Sequence, residues 1–515
     1  MRDALAITRH YVDVGDRRVH YRRAGHGPPA VMLHASPRSS VEMLPLIERL
    51  GGGVTAFALD TPGYGLSDKL ALERPEIADY ADALHATLAA LGITRAPVYG
   101  THTGASIAYE FALRHPDACG CALLDGLPVF NTAEREEALA HYLVPFVPSV
   151  DGTHLAWLWA RIRDQFLFFP WNRRGEGARL WRPLPPAAAL HTVAMDILRA
   201  GDGYRTGYAA AFRHQPHATF GSLSVPAIFG ARLDDSLLTH LDRLRDLPPH
   251  AVIERFSADR DAWGGALGNH MRRHAATAAT LPGNAALPSD RVGGAYVDLP
   301  EGQLHVRGAL GGKGLPLVLI HASPGGSRDF DPLLHRLAGR RPVLAPDLPG
   351  HGESDPIGDT PDAAAAQIDA ALDRLGIDAA ALVGVGIGTV IAATLRRCNP
   401  TRYRTCHVTD PPLAGVTPPG PFAPRSDGGH IAAAWYHTRD DTIMGAWCAR
   451  DPAAHHAFGP DLDARDLHRR TTEVLKEADN SAFRAACLGQ AETAHRAHAV
   501  PRLDAEMLVS WGEGA

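Results

Sequence analysis

The residue with the clearest chemical potential is a histidine at the centre of a glycine-flanked turn. Residues 100–104, GTHTG, join a predicted strand to a predicted helix, with His102 in the middle. An imidazole displayed there can act as a base, a proton shuttle or a covalent nucleophile, since histidine titrates near neutral pH. The alternative is structural, because histidine tolerates a strained φ better than most residues. Both interpretations stay open at this stage.

A second group of polar and aromatic side chains occurs twice. The motif D-G-x-H, followed by Trp and then Arg-Asp, places His154, Trp159 and Arg163 within 151–164, and it recurs at 427–440. Trp159 and Arg163 would share one face of a helix. An arginine beside aromatic rings can hold a carboxylate through two hydrogen bonds, or it can form an internal salt bridge. We therefore take these three residues as candidates for substrate binding.

The elements that would position these groups alternate along the first half of the chain. Short apolar runs bounded by turn residues predict buried strands, and patterns of helical spacing lie between them. The strands are predicted at 29–35, 54–60, 96–100, 120–126, 225–235 and 250–256, and the helices at 75–93 and 104–116. This alternation favours a mainly parallel sheet with right-handed crossovers.

The arrangement then repeats. VMLHASPRSS at 31–40 matches LIHASPGGS at 319–327, and FALDTPGYGLSD at 57–68 matches LAPDLPGHGESD at 344–355. Both matches share one offset, which indicates a tandem duplication of whole domains rather than a short solenoid repeat.

The duplication predicts two domains and a linker. The first domain is expected at 1–274 with an inserted cap at about 127–222, and the second at 293–515 with a cap at about 411–498. The segment 275–292, rich in Ala, Pro, Thr and Gly, has no sustained periodicity and is the predicted linker.

These turns, in this order, resemble those of the α/β-hydrolase fold superfamily. The resemblance rests on the HASP turn, the D-x-P-G-x-G-x-S-D turn, the G-x-x-x-G turn and a late Asp followed by His, and it covers nearly the whole chain. It implies the α/β class, with two tandem units of mainly parallel sheet flanked by helices. Each unit would carry a helical cap, and the second would be incomplete at its C-terminus.

The resemblance also implies roles for individual residues. The family places its nucleophile at the centre of G-x-Nuc-x-G, where the first copy has His102 and the second has Gly386. The serine is thus absent from both copies. Asp234 stands at the family's acid position and His270 at the position of its general base, so Asp234 would orient His270.

The same resemblance implies an oxyanion hole. The backbone N–H groups of Ala35, in the HASP turn, and Thr103 would face a developing negative charge. We expect His34 to order its loop and Asp60 to shape the sheet edge, without a part in the chemistry. The second copy has no counterpart of Asp234 or His270, so it is expected to be structural or to contribute binding only.

Composition excludes several classes of protein. Of 515 residues, 45% are hydrophobic and 21% charged, which is typical of a globular protein. A net charge of −6 provides no bulk attraction to nucleic acid or anionic membranes. The start, MRDALAITRH, has no apolar run fit for a signal-peptide core, and the longest apolar stretch, roughly 381–394, is too short to span a membrane. We expect a cytoplasmic protein with a small-molecule substrate and with neither a nucleic-acid nor a membrane partner.

We expect neither a metal nor a cofactor. His34, His102 and His270 can converge near one pocket, but no H-x-x-x-H or H-E-x-x-H spacing supports a zinc site. The glycines of 382–390, LVGVGIGTV, follow G-x-G-x-G rather than the dinucleotide pattern G-x-G-x-x-G.

Two hypotheses about function follow. In the first, the chain is an enzyme without a serine nucleophile. His270, oriented by Asp234, is its general base, and His102 assists. The reaction is hydrolysis or cleavage of a C–C or C–O bond, on a small aromatic or carboxylate-bearing molecule. In the second, the chain is a catalytically inactive pseudoenzyme that binds a ligand or a partner.

Overall fold

The structure, a computed structural model, describes most of the chain as two compact units. The described residues are 6–50, 52–275, 283–356, 358–409, 422–444, 461–476 and 481–490. The first unit comprises Met1–Val147 and Leu158–Gly283, and the second comprises Pro148–Trp157 and Asn284–Ala515. Ten residues of the cap predicted for the first domain, 148–157, therefore belong to the second unit. The prediction of one continuous first domain over 1–274 did not include this exchange.

The first unit is built on an eight-stranded sheet. Its strands are β1 (Ile7–Val14), β2 (Arg17–Gly25), β3 (Pro29–Leu33), β4 (Thr55–Leu59), β5 (Ala96–Thr101), β6 (Cys119–Asp125), β7 (Ala227–Arg232) and β8 (Ala251–Phe256). Their order is β1-β2-β4-β3-β5-β6-β7-β8. β1 and β2 pair antiparallel with each other, and β2 pairs antiparallel with β4, whereas β3 to β8 run parallel. The carboxyl ends of β5, β6 and β7 therefore meet at one edge of the sheet.

Helices cover this sheet and form its cap. They are α1 (Leu44–Arg49), α2 (Ile77–Ala90), α3 (Thr103–Arg114), α4 (Thr132–Glu137), α5 (Thr153–Leu167), α6 (Ala187–Ala200), α7 (Tyr204–Arg213) and α8 (Arg260–Arg273). The helices α4 to α7 lie between β6 and β7, where the sequence predicts a cap. α2 begins with a capping box, in which the Asp79 side chain accepts the N–H of Glu76 at 2.8 Å.

The sequence of the central strands explains their position. β3, PAVML, and β4, TAFAL, are buried at every residue. Continuous apolar runs of this kind are typical of parallel strands covered on both faces. Apolar clusters on the two faces confirm this arrangement, one around Val31 and Phe111 and the other around Met32 and Trp263.

The described part of the second unit repeats the first six strands. It contains β9 (Gly293–Leu299), β10 (Gly302–Ala309), β11 (Leu317–Ile320), β12 (Val343–Pro346), β13 (Ala381–Val385) and β14 (Thr405–Thr409). Its helices are α9 (Asp331–Leu337), α10 (Pro361–Arg374), α11 (Gly388–Cys398), α12 (Gly429–Met444), α13 (Ala464–Leu475) and α14 (Ser481–Gly489). The strand order, β14-β13-β11-β12-β10-β9, is that of β6 to β1 in the first unit. The prediction of two tandem α/β units is confirmed, while the predicted C-terminal incompleteness concerns residues 491–515, outside the described part.

The repeat extends to individual hydrogen bonds. In the first unit the His20 Nδ1 lies 2.7 Å from Asp60 and the His34 Nε2 accepts the N–H of Thr61 at 3.0 Å. In the second unit His305 and Asp347 form the same pair at 2.8 Å, and His321 accepts the N–H of Leu348 at 2.8 Å. Because Asp60 also accepts two backbone N–H groups, these groups brace the turns, as expected for His34 and Asp60.

No helix in the described ranges is both long enough and apolar enough to cross a bilayer.

Candidate functional site

The candidate site is centred on His102, at the turn between β5 and α3. His102 has φ 49° and ψ −108°, and it is one of only two non-glycine residues with positive φ in the described part of the chain. Such a backbone conformation is strained for a residue with a Cβ, and strain of this kind is concentrated at functional sites. The turn displays the imidazole at the carboxyl edge of the sheet, as the sequence predicted for the centre of GTHTG.

The two flanking glycines make this turn possible. A Cβ at Gly100 would lie 2.1 Å from the carbonyl oxygen of Gly104, and one at Gly104 would lie 2.3 Å from that of Leu33. Any side chain at either position would collide with backbone, which cannot move aside. The turn therefore requires glycine at both positions, which accounts for the G-x-x-x-G spacing.

A buried carboxylate holds the imidazole. The Nε2 atom of His102 lies 3.1 Å from both carboxylate oxygens of Asp235, which follows β7. Asp235 is 6% exposed and His102 34% exposed as side chains. The backbone N–H of Leu237 also donates to Asp235, at 2.7 Å, and fixes its orientation. Both side-chain hydrogen bonds of His102 use Nε2, and its Nδ1 atom makes none with a described residue.

The electrostatics of this pair favour a protonated imidazole. Burial disfavours the charged ring, but the Asp235 carboxylate outweighs burial, and Glu42 and Asp125 act in the same direction, so the pKa of His102 is raised. For Asp235, burial alone would raise the pKa, yet the contact with His102 lowers it below the ordinary value. Both pKa shifts favour the charged forms, so the two side chains form an ion pair at pH values below the raised pKa of His102.

A glycine after β6 makes room for the pair. Gly126 has a φ of +66°, and a Cβ there would lie 2.6 Å from Cδ2 and 2.9 Å from Nε2 of His102. The same Cβ would lie 3.4 Å from Asp235. Because Gly126 has no side chain, the imidazole and the carboxylate have room to approach each other.

A second buried carboxylate ends β6. Asp125 is fully buried, and its Oδ2 accepts hydrogen bonds from the Tyr99 hydroxyl and from the Trp263 ring N–H, both at 3.0 Å. Its Oδ1 has no hydrogen-bond partner among the described residues. Burial raises the pKa of Asp125 to about 6, against an opposing effect of Arg232. This carboxyl group can therefore be protonated in mildly acidic solution.

A carboxylate accepts a hydrogen bond from one of the two predicted oxyanion-hole donors. The N–H of Ala35 donates to Oε2 of Glu42 at 2.8 Å, so this donor is already in use. Thr103 is the first residue of α3, where backbone N–H groups have no partner within the helix. Of the two predicted donors, Thr103 stands at the helix N-terminus as expected, whereas the N–H of Ala35 is bonded to Glu42.

The structure corrects the predicted role of Asp234. Its carboxylate pairs with Arg232 at 3.0 Å and with Arg260 at 3.2 Å, and the side chain is 37% exposed. The neighbouring Asp235 points to His102 instead. A shift of one residue at the end of a strand directs a side chain to the other side, so the choice between two adjacent acids depends on the exact end of β7.

The predicted pairing of His270 with Asp234 is also wrong. His270 lies in α8, about 15 Å along the helix axis from its first residue. Its Nε2 contacts Glu254, within β8, at 2.8 Å. A Cβ at Gly120, at the start of β6, would lie 2.8 Å from the carbonyl oxygen of His274, so this end of α8 lies near the amino edge of the sheet. The helix has carried His270 away from the carboxyl edge where His102 stands.

The three candidates from the cap belong to different units, since His154 falls in the second unit and Trp159 and Arg163 fall in the first. His154 belongs to the second unit, where its Nδ1 accepts the N–H of Ser149 at 3.2 Å and its Nε2 lies 3.3 Å from His468. Burial, with a contribution from His468, lowers the pKa of His154 to about 4. Trp159 is buried and Arg163 half-buried on α5, and their part in substrate binding stays a prediction.

In the second unit the corresponding turn has no side chain at its centre, where Gly386 is half-buried. Gly386 has a φ of +55°, and a Cβ there would lie 2.8 Å from the Cβ of Ala322. On the neighbouring turn, a Cβ at Gly326 would lie 2.5 Å from the carboxylate of Glu473, on α13. Glu473 is buried and pairs with Lys476 at 2.7 Å. That the second copy is structural or contributes binding only stays a prediction.

Sequence reasoning missed four contributors to the first site: Asp235, Glu42, Asp125 and Gly126. One signal was available, because Asp125 is a carboxylate at the end of a predicted parallel strand, where ligand sites form. Glu42 lies in a short 3₁₀ segment without such a signal. Within the described ranges, no group of three or more His, Cys, Asp or Glu side chains is arranged to hold a metal ion.

Comparison with known families matches the chain twice. A model of the alpha/beta hydrolase fold matches residues 28–166 and 316–513. These two segments together make up more than half of the chain and fall on its two copies.

Individual relatives match over shorter stretches. A 2-hydroxy-6-oxo-6-phenylhexa-2,4-dienoate hydrolase of Comamonas testosteroni is 29% identical over 118 residues, which are 22% of this chain and 41% of the relative. A 2-(acetamidomethylene)succinate hydrolase of Mesorhizobium japonicum is 33% identical over 110 residues, 21% of this chain and 38% of the relative. A soluble epoxide hydrolase of Corynebacterium is 32% identical over 111 residues, 22% and 38% of the two chains. The matched stretches thus span about two fifths of these relatives.

Solved structures match one unit's length of chain. An epoxide hydrolase from an endophytic Streptomyces has a TM-score of 0.42 at 19% identity, covering 53% of this chain and 96% of its own. An E-2-(acetamidomethylene)succinate hydrolase has a TM-score of 0.38 at 19% identity, covering 52% of this chain and 99% of its own.

Proposed function

Because this chain belongs to the α/β-hydrolase fold family, we propose that its first unit is a hydrolase that works without a serine nucleophile. In this proposal His102 is the general base. One observation carries it: a strained turn displays an imidazole whose Nε2 is held 3.1 Å from a buried carboxylate and whose Nδ1 has no partner among the described residues. A ring oriented at one nitrogen and open at the other is arranged to move a proton.

The proposed reaction uses both ring nitrogens. Asp235 accepts a hydrogen bond from Nε2–H, which leaves the lone pair on Nδ1 in the neutral ring. Nδ1 takes a proton from a water molecule, and the water oxygen bonds to the electrophilic carbon of the substrate. The bond to the leaving group then breaks, and the proton on Nδ1 passes to that group. Asp235 stabilises the imidazolium between these two steps.

The backbone of the turn supports the developing negative charge. The N–H of Thr103 stands at the N-terminus of α3, where the helix dipole favours an anion. The second predicted donor, Ala35, contributes only when the Glu42 carboxylate leaves its N–H. Substrate binding would therefore include displacement of the Glu42 side chain.

The proposed substrate class is a small molecule with a carboxylate or an aromatic ring. Two relatives are named for hydrolysing a dienoate and a succinate derivative. The first unit's cap supplies aromatic residues, among them the buried Tyr142, Trp171 and Tyr204. Hydrolysis and C–C or C–O bond cleavage both remain within the proposal, as does a cytoplasmic setting without a nucleic-acid or membrane partner.

A comparison of two proteins tests the proposal. The full chain and its His102→Gln variant would be assayed with p-nitrophenyl esters of small carboxylic acids. General-base catalysis predicts a rate at least 100-fold higher for the wild-type protein. A fluorophosphonate probe, which labels activated serines, should label neither protein. Equal ester hydrolysis by the two proteins, or labelling of the wild type, would contradict the proposal.

A second candidate function follows from Glu42. A carboxylate bound to the Ala35 N–H occupies a donor that hydrolysis would use, and the second unit has no side chain at its own turn. Both features suit a pseudoenzyme that binds a ligand without turnover. The ester assay separates the two, since a pseudoenzyme would show no difference between wild type and His102→Gln.

A further inference from the structure

We propose that Arg161, on α5 in the cap of the first unit, forms a buried binding site for a carboxylate group. The proposal rests on the proposed function only where it assigns that carboxylate to the substrate. The observations that carry it concern the guanidinium itself, its hydrogen bonds and the rings around it.

Arg161 is a buried charge without an acidic partner in the described part of the chain. Its side chain is 1% exposed, and it is among the largest fully buried side chains of the described residues. Its Nη1 donates to Oε1 of Gln165 at 2.6 Å, one turn along the same helix. Neither Nε nor Nη2 has a hydrogen-bond partner among the described residues. Burying a charge and two donors in this way is costly unless a partner of opposite charge is supplied.

The two unpaired groups form one edge of the guanidinium. Elsewhere in the chain this same edge binds carboxylates: Arg114 uses Nε and Nη2 toward Asp82 at 2.9 and 2.7 Å. Arg18 does so toward Asp13 at 2.9 Å for both bonds. A planar carboxylate matches this edge with two parallel hydrogen bonds. The contact with Gln165 holds the opposite side of the group, and this edge has no hydrogen-bond partner among the described residues.

Aromatic rings fix the plane of the guanidinium. The Cζ of Arg161 lies 5.2 Å from the Trp171 ring centroid and 5.6 Å from that of Tyr204. The ring of Tyr142 packs edge-on against Trp171 at 5.8 Å. These rings stabilise the cation in the absence of an acid and provide an apolar wall for an organic anion.

The cluster is connected to the turn beside the candidate site. The hydroxyl of Tyr64 donates to the backbone oxygen of Tyr204 at 2.8 Å and accepts a hydrogen bond from Ser36 at 3.0 Å. Ser36 follows Ala35 in the HASP turn. A small aromatic carboxylate is the class of ligand that fits these groups, with its charge on Arg161 and its ring among the cap aromatics.

Benzoate is the probe for this proposal, and benzamide is its neutral counterpart. Binding to the full chain would be measured by titration calorimetry, together with the shift in melting temperature. We expect benzoate to bind and to raise the melting temperature of the wild type, and benzamide to bind at least 10-fold more weakly. Arg161→Met and Arg161→Lys should both lose at least 10-fold in benzoate affinity, since lysine keeps the charge but lacks the two-donor edge. Arg114→Met, which removes an exposed guanidinium paired with Asp82 on the surface of the same unit, is the control and should bind within 2-fold of the wild type.

The variants also separate a binding role from a structural one. Without ligand, Arg161→Met should melt no lower than the wild type, because an unpaired buried charge has been removed. If the guanidinium were purely structural and held only by its rings, Arg161→Met would melt at a lower temperature than the wild type. Unchanged benzoate affinity in both Arg161 variants would overturn the proposal. Should Arg161→Met fail to fold, Arg161→Lys still decides it. Benzoate binding is measured without turnover, so a failure of the hydrolase mechanism would be visible separately, in the ester assay.

Discussion

The His102 Nε2 atom lies 3.1 Å from both carboxylate oxygens of Asp235. This contact connects the turn after β5 directly to the turn after β7. The two side chains form a carboxylate–imidazole pair. The ring therefore orients toward Asp235 with one nitrogen and keeps the other for a reacting molecule.

Asp235→Asn tests the importance of this pair. The neutral amide removes the charge that raises the pKa of His102, so we expect that pKa to fall and ester hydrolysis to drop at least 10-fold. The pKa would be measured by NMR titration of the His102 ring protons. Asp234→Asn is the matched control: its carboxylate pairs with Arg232 and Arg260, so both quantities should stay near the wild-type values. The reverse order of effects would restore Asp234 as the functional acid.

The pH dependence of hydrolysis follows from the direction of the same pKa shift. The base must be neutral, and the pKa of His102 is raised above 6.5. Activity should therefore rise with pH and reach half its maximum above pH 6.5. In Asp235→Asn the half-maximum should move to lower pH. A wild-type profile that is flat from pH 5 to 9 would show that His102 is not the titrating base.

His270 should be dispensable for the reaction. Its imidazole contacts Glu254 within β8, and the end of α8 lies near the amino edge of the sheet. We expect His270→Gln to hydrolyse esters within 2-fold of the wild-type rate, whereas His102→Gln should not. A loss on His270→Gln comparable to that on His102→Gln would require a different arrangement of α8 in the active protein.

Gly126→Ala should separate the members of the pair. The added methyl group would lie 2.6 Å from Cδ2 of His102, and the φ of +66° adds a backbone penalty of about 1 kcal/mol. We expect a 10-fold or greater loss of hydrolysis and a lowered pKa of His102. Gly15→Ala is the control for the backbone effect, because Gly15 has a φ of +62° and nothing within 4 Å of an added Cβ. That variant should lose stability but keep its activity, as measured by thermal unfolding and the ester assay.

Asp125 should make the folded protein less stable as pH rises. Burial raises the pKa of Asp125 to about 6, against about 3.9 in an unfolded chain. Between these values the folded state binds a proton that the unfolded state has lost. Its contribution therefore falls by about 2 kcal/mol as pH rises from 4 to 7. Denaturant unfolding at several pH values should show this fall in the wild type relative to Asp125→Asn. Parallel pH profiles for the two proteins would contradict the raised pKa.

Local sequence was enough for the architecture and for the centre of the site. Apolar runs separated by helical patterns predicted β3 to β7 because burial on both faces of a parallel sheet demands continuous apolar residues. The glycines of GTHTG predicted the strained turn and placed His102 on it, since a Cβ at Gly100 or Gly104 would meet backbone. The common offset of the HASP and D-x-P-G turns predicted two units. Each of these features depends on residues close together in the chain.

The partners of His102 were decided by the tertiary structure. Two adjacent acids follow β7, and only the exact end of the strand determines that Asp235 faces the ring while Asp234 faces Arg232 and Arg260. His270 is in the expected part of the sequence, yet a continuous helix carries it to the far edge of the sheet. Glu42 reaches the Ala35 N–H, and Arg161 is the buried arginine of α5, through packing that no local pattern records. The physical reason is common to all four: side-chain direction changes with every residue of a strand or helix, so a contact between distant segments is set only when both have been packed.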